Sequence, residues 1–230
     1  VAGASTLGAK AIVSVIEERL AGPPGLYPWS GGALNEADRL ESGAPRLAAL
    51  AGRPALVFIH GTGSHTLGGF GALPGSKAWA DLQRQFGEHI YGFEHRTFSE
   101  SPVDNALQLL AVMPRGARLH LVTHSRGGLV GDLLCLDTAP GNSQALDSLI
   151  ADFRRRPRPD EAPREQADPA LARQRETWAA EERKKLGKLV GLLRTKDVRV
   201  ERYVRVACPA RGTSLLTDNL DIFLSGLFSL

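Results

Sequence analysis

Cysteine is scarce: Cys135 and Cys208 are the whole complement of the 230 residues. Two cysteines make no disulfide framework, and neither stands at metal-ligand spacing with a partner. Both read as small buried apolar side chains. No apolar run approaches the roughly 18 residues that a bilayer demands, and no basic region followed by a signal-type apolar stretch opens the chain. A soluble, cytoplasmic setting without a transmembrane segment is expected. The chain starts on Val1, so we also expect a piece of a longer protein, with further domains of that parent among its partners.

Charge of one sign is equally sparse. The net charge is +3, and much of the basic excess gathers in Arg154, Arg155, Arg156 and Arg158, with Asp160, Glu161 and Glu165 close behind. This is the pattern of a solvated surface loop, and no nucleic-acid partner is expected. A Gly-Lys-Ser/Thr motif is missing, and Gly61, Gly63 and Gly68 miss the spacing of a dinucleotide fingerprint, so nucleotide binding is not expected. His120 and His124 have no carboxylate pair to complete a metal site, so neither metal nor cofactor is expected. Histidine is also absent from every position after His124.

With 43% hydrophobic and 23% charged residues, the composition is that of a globular chain and excludes disordered, collagen-like and coiled-coil classes. One domain is expected. Leu7, Ala11, Ile12, Val15, Ile16 and Leu20 recur at helical spacing over residues 6–20, before Gly22-Pro23-Pro24-Gly25 stops them. Residues 27–53 are rich in Gly and Ala, with a helix signal at 35–41. Residues 1–53 therefore read as an N-terminal helix and irregular segment packed on a core that spans 54–230.

That core opens with Ala55-Leu56-Val57-Phe58-Ile59, an unbroken apolar run ending in His60-Gly61-Thr62-Gly63-Ser64. Such a run reads as a central parallel strand feeding a functional loop. Strands are also expected at 89–94, 118–123 and, nearer the sheet edge, 198–207, with helices at 79–86, 102–113 and 127–136. Alternating strands and helices predict an α/β fold, a mostly parallel sheet flanked by helices. Residues 152–169 read as a mobile charged surface insertion. A charged helix from 170 to 193 follows, with Trp178, Leu186, Leu189, Val190 and Leu193 as its apolar face. We expect 141–195 to form a charged helical insertion or cap, and a last amphipathic helix to run out at Leu230.

The segment richest in chemistry is Leu121-Val122-Thr123-His124-Ser125-Arg126-Gly127-Gly128, a strand running straight into a small-residue turn and a helix. Ester hydrolysis needs a hydroxyl presented at the top of a sheet, and a sharp strand-to-helix turn presents one. Ser125 is the candidate nucleophile. Gly127 lets the turn pass the neighbouring strand, and the helix behind Ser125 aims its amide dipoles at a developing negative charge. The first glycine of the usual Gly-x-Ser-x-Gly pattern is replaced by Thr123. An oxyanion hole needs two converging backbone donors. The amide of Arg126, after the nucleophile, and that of Thr62, in the loop after the first strand, are the candidates. His60 reads as a loop-organising hydrogen-bond partner. Arg126's side chain reads equally as a surface arginine, a cap contact or an anion contact.

Through His60-Gly61-Thr62-Gly63, Thr123-His124-Ser125-Arg126-Gly127-Gly128 and Cys208-Pro209-Ala210-Arg211-Gly212-Thr213, the sequence resembles the α/β-hydrolase superfamily on its lipase and esterase side, over residues 54–213. The His-Gly-Thr-Gly-Ser and Thr-His-Ser-Arg-Gly-Gly-Leu-Val-Gly phrasing also resembles hydrolase-like modules found beside CHAT domains in large bacterial proteins. The resemblance implies a serine hydrolase acting on acyl esters, with a small ester or a lipid as substrate and no cofactor. Its order of nucleophile, acid, histidine is broken here, because all six histidines precede Ser125. Truncation of a longer hydrolase explains that, and so does an inactive hydrolase-fold module mediating protein interaction in a larger signalling or defence protein. Asp218 and Asp221 read as helix start and solvated face rather than the missing acid. An upstream histidine such as His95, at a strand end, could fold back toward Ser125 in place of the missing one, and truncation is the favoured explanation.

Overall fold

The computed structural model describes residues 22–50, 52–153 and 168–209, together with Glu17. The helix expected at 6–20, the arginine run at 154–158 and the closing helix with Asp218 and Asp221 lie outside the described residues. Within them, a mixed five-stranded sheet is flanked by helices, an α/β architecture.

The apolar run from Pro54 to Ile59 forms the middle strand, β2, of a sheet ordered β1-β3-β2-β4-β5, where β1 is Gly25–Pro28, β3 Ile90–Glu94, β4 Arg118–His124 and β5 Arg199–Val206. β2 pairs in parallel with β3 on one side and β4 on the other, and β5 extends the parallel run to the edge. β1 closes the opposite edge antiparallel to β3, a strand the Gly- and Ala-rich stretch hid from sequence patterning. The helix signal at 35–41 yields only a 3-10 turn at Glu36–Asp38, capped by Asn35. A single helical turn, α1 (Pro45–Ala48), follows before β2.

Both faces of β2 are covered, so it is apolar at every position from Ala55 to Ile59 rather than alternating. Leu56 and Phe58 face α2 (Thr66–Phe70) and α3 (Lys77–Phe86), packing with Trp29, Phe70, Trp79 and Phe86. Phe58 and Trp29 meet edge to face, with ring centroids 4.9 Å apart. Ala55, Val57 and Ile59 face the opposite layer, formed by α4 (Pro102–Val112), α5 (Gly127–Leu134) and, after the short α6 (Ser143–Ala151), α7 (Pro169–Lys196). Each core side chain of that size contributes about 1.5–3 kcal/mol on burial. A crossover that moves left across the sheet puts its helix on one face and one that moves right puts it on the other, which is how right-handed connections distribute α3 against α4 and α7.

The ends of these helices are written locally. Ser76 caps α3, and Ser101 and Asp104 form a reciprocal capping box at α4, whose Pro102 is fixed for the first turn. At the other end of α4, Lys196 donates from Nζ to the carbonyls of Leu110, Ala111 and Met113 at 2.7–2.8 Å, satisfying orphan acceptors with a cation.

Two expectations need correcting. Helix α7 is not a cap over its second half: Leu186, Leu189 and Leu193 sit in the main core, and Lys185 bridges to Asp104 of α4 at 2.8 Å. A helix joining adjacent parallel strands must lie on the sheet, and the apolar face reads the same in both settings. Trp178, assigned to that face, is 41% exposed. The cysteines are not buried either, Cys135 being exposed and Cys208 half-buried. No helix among the described residues is long and apolar enough to cross a membrane. If α7 is core rather than lid, Leu189→Ala lowers unfolding free energy by about 2–5 kcal/mol while Trp178→Ala costs under about 1 kcal/mol, as denaturant titration will read.

Candidate active site

From β2 the chain moves to β3 on one side, and from β4 to β5 on the other. The C-terminal ends of β2 and β4 therefore flank the point where connections leave in opposite directions, the usual opening for a ligand in such sheets. The loop 60–65 and the turn 125–127 stand at that opening.

Ser125 ends β4 at φ 51°, one of three non-glycine residues with positive φ in the described chain. A left-handed backbone costs a residue with a Cβ roughly 1–2 kcal/mol and persists where the surroundings impose it. They do so here. The Ser125 amide still donates to Val206 of β5 at 3.0 Å, and its carbonyl accepts from Gly128 at 3.0 Å, so one residue converts strand to helix. A Cβ on Gly127 would lie 2.6 Å from the His60 carbonyl oxygen and closer still to that of Ile59. One on Gly128 would strike Cys208, and one on Gly131 would strike Tyr203. The glycines thus let α5 start directly against the ends of β2 and β5. Thr123, where the common pattern has glycine, points toward β5, its hydroxyl 3.4 Å from Cys208 Sγ. Space that glycine would leave open is filled.

The two loops touch. A Cβ on Gly61 would sit 2.8 Å from Ser125 Cβ and 3.2 Å from both the His124 carbonyl oxygen and His124 Nδ1. Thr62 follows Gly61, and the turn is completed by Gly63 at φ 59°, whose amide donates to Thr97 Oγ1 at 3.0 Å. Arg126 heads α5 as its N-cap residue, and no side chain caps that end. Backbone N–H groups of an uncapped first turn are donors for a negative charge.

Beneath the loop lies a buried polar cluster. His60 is fully buried, with Nδ1 2.9 Å from the Gly61 carbonyl and Nε2 accepting the His95 amide at 3.3 Å. That pattern fits the neutral ring, and burial pushes the His60 pKa down. Glu94, closing β3, receives the Thr66 amide at 2.8 Å on one oxygen and lies 3.5 Å from His60 Nε2 with the other. His95 stacks on His60, centroids 4.0 Å apart, and burial drives its pKa well below 6.5. His60 is thus a loop organiser, and His95 lies under the loop rather than beside Ser125. Among the described residues no hydrogen bond joins a histidine ring to the Ser125 hydroxyl, and His124 Nδ1, beside Gly61, is buried without a partner.

Arg126 is not a surface arginine. Its guanidinium donates to Asn105 Oδ1 at 2.8 Å and to the Glu100 carbonyl at 2.6 Å, and burial lowers its pKa to about 10 against the pull of Glu17, Glu100 and Asp104. Its backbone faces the opening while its side chain ties α5 to the start of α4. Sequence reading passed over Glu94, Asn105 and Glu17. The available signals were a carboxylate closing an apolar strand and an amide at an inward position of α4. His120 meets Glu201 of β5 at 3.3 Å, and no group of His, Cys, Asp and Glu among the described residues could hold a metal ion.

Gly127→Ala should cost about 3 kcal/mol or more, because a methyl there meets backbone that cannot yield. The buried histidines have lower pKa values folded than unfolded, so the unfolded chain takes up protons first as pH falls below 6.5. Stability therefore declines from about pH 6.5 downward. In His95→Phe the slope of unfolding free energy against pH over that window should be shallower by up to about 1.4 kcal/mol per pH unit.

Neither a characterised protein nor a solved structure matches the chain. A family model does, over residues 32–150, a stretch that takes in the loop after β2, the Ser125 turn and the His60–Glu94 cluster. Because that match spans over half of the 230 residues, the chain belongs to this family, the domain of unknown function DUF7379.

Proposed function

We propose that this protein is a serine hydrolase of the α/β-hydrolase type, acting on acyl esters through Ser125. The observation that carries this reading is the serine's position. A side chain with a strained positive φ, at the end of a parallel strand and the start of a helix, is held at the topological switch point against a glycine loop from the next strand. Mere turn chemistry would not require three successive features, Gly61, Ser125 and Gly127, to interlock at backbone distance.

In this reading Ser125 Oγ attacks the ester carbonyl carbon and the carbonyl oxygen takes the negative charge. The amides of Thr62 and Arg126 donate to that oxyanion, helped by the dipole of α5. Collapse expels the alcohol and leaves an acyl-serine, which water then hydrolyses. A base takes the serine proton and returns it to the departing alcohol. A groove of about 740 Å³ farther along α5 is lined by Leu129, Leu133, Leu146, Ile150 and Trp178 together with Asp132, Asp152 and Glu182, and neither Ser125, Thr62 nor Arg126 lines it. Substrates are small esters or lipids, without a cofactor.

The absence of a base hydrogen-bonded to the Ser125 hydroxyl among the described residues favours a second reading, a catalytically inactive module of the same fold that mediates protein interaction. Fluorophosphonate labelling separates the two. The hydrolase reading expects labelling of the protein and its loss in Ser125→Ala, with the melting temperature kept. No labelling of the wild type, in this chain or in a longer parent, would transfer the assignment to the interaction module.

A further inference from the structure

Glu17 contributes a carboxylate that is only 3% exposed and sits against the turn following β3. One oxygen accepts the amides of Thr97 at 2.5 Å and Phe98 at 2.7 Å. The other accepts the Ser99 amide at 3.1 Å and the Ser99 hydroxyl. Three successive backbone N–H groups converging on one anion form a nest, and a fourth donor completes it. Burial of a carboxylate is costly unless its lone pairs are met in this way.

The nest is wired to the candidate active site. Thr97, whose amide holds Glu17, uses its hydroxyl oxygen to accept the Gly63 amide at 3.0 Å, next to Thr62. Glu17 is also an acid whose field reaches the buried guanidinium of Arg126, the residue at the head of α5. A single carboxylate from near the N-terminus therefore bears on both loops that would supply oxyanion donors. The cavity left beside it, bounded by Gly63, Ser64, His95, Arg96, Thr97 and Phe98, is about 10 Å³. With Glu17 in place there is room there for nothing larger than roughly one water molecule.

We propose that residues 97–99 form a carboxylate-binding nest filled in cis by Glu17, and that this contact holds the loop 61–64 in the shape that receives an oxyanion. The second half rests on the hydrolase reading above; the nest itself does not. Removing the Glu17 carboxylate empties the nest, and a small free carboxylate then fits the space that the side chain leaves. Glu17 is thus a clamp on the loop that faces Ser125.

The experiment compares wild type, Glu17→Ala and Glu17→Gln by backbone hydrogen exchange over 61–66 and 97–99. Melting temperature and fluorophosphonate labelling rate are followed alongside, each with formate or with sodium chloride at equal ionic strength. In Glu17→Ala the amides of Gly63 and residues 97–99 should exchange about tenfold faster or more. Formate should slow that exchange and raise the melting temperature, chloride should do neither, and wild type should respond to neither salt. Glu17→Gln, which keeps the shape with a neutral group, should fall between the two and serves if the alanine variant does not fold. Labelling should slow in the same order and recover with formate. Unchanged exchange in both variants, or formate acting no better than chloride, would overturn the nest. Normal labelling of Glu17→Ala alongside faster exchange would overturn its hold on the loop. If wild type does not label, the hydrolase reading fails, while exchange and formate still decide the nest.

Discussion

Backbone against backbone is the contact on which the site depends. Helix α5 begins so near the end of β2 that Gly127 has no room for a methyl beside the Ile59 and His60 carbonyls. Once that approach is fixed, the chain has one residue in which to leave β4 and enter the helix, and Ser125 takes the left-handed conformation that makes the turn. The strain is small against the core that imposes it, since Val57, Ile59, Leu119, Leu121 and Val130 bury their side chains on that face. The same approach brings Gly61 against Ser125, so the serine and the loop after β2 share one surface. Any other helix start would separate them.

Polar groups beneath this surface are only partly satisfied, since Glu94 Oε2, His95 Nε2 and His124 Nδ1 are buried without a hydrogen-bond partner. His60 and His95 are held neutral by burial, and their stack forms the floor of the loop. Glu94 spends one oxygen on the first amide of α2 and turns the other toward His60. The Arg126 charge is drawn inward to Asn105 and the Glu100 carbonyl, in a field set by Glu17, Glu100 and Asp104.

Stiffness comes from the crossover between β4 and β5. The second half of α7 lies in the core, its Lys185 binds the capping box of α4, and Lys196 closes the far end of the same helix. α4 in turn carries Asn105, which receives Arg126. Positions far apart along the chain thus converge on the helix that follows Ser125. Tyr203 of β5 adds to this, donating to the Gly128 carbonyl at 2.6 Å, with burial pushing its own pKa up to about 12.

Much of this was legible without coordinates. The unbroken run from Ala55 to Ile59 reads as a strand covered on both faces, and the Gly127-Gly128 pair after Thr123-His124-Ser125 as a tight strand-to-helix turn. The unbroken apolar run, the apolar strand-length stretches and the helical spacing placed β2 to β5 and α3 to α5, since those signals are local. β1 escaped because a four-residue edge strand carries too little pattern, and Cys135 because small apolar side chains are not committed to burial. The apolar face of α7 was visible, but not whether it covered a site or the sheet, since both present the same stripe to a partner. Nothing local could reveal that His60 would stack on His95 and lie beside Glu94, that Arg126 would turn inward, or that Glu17 would find the amides of Thr97, Phe98 and Ser99. Those contacts join residues far apart in the chain, and only the closing of the sheet decides which polar groups meet in a space too small for solvent to replace them.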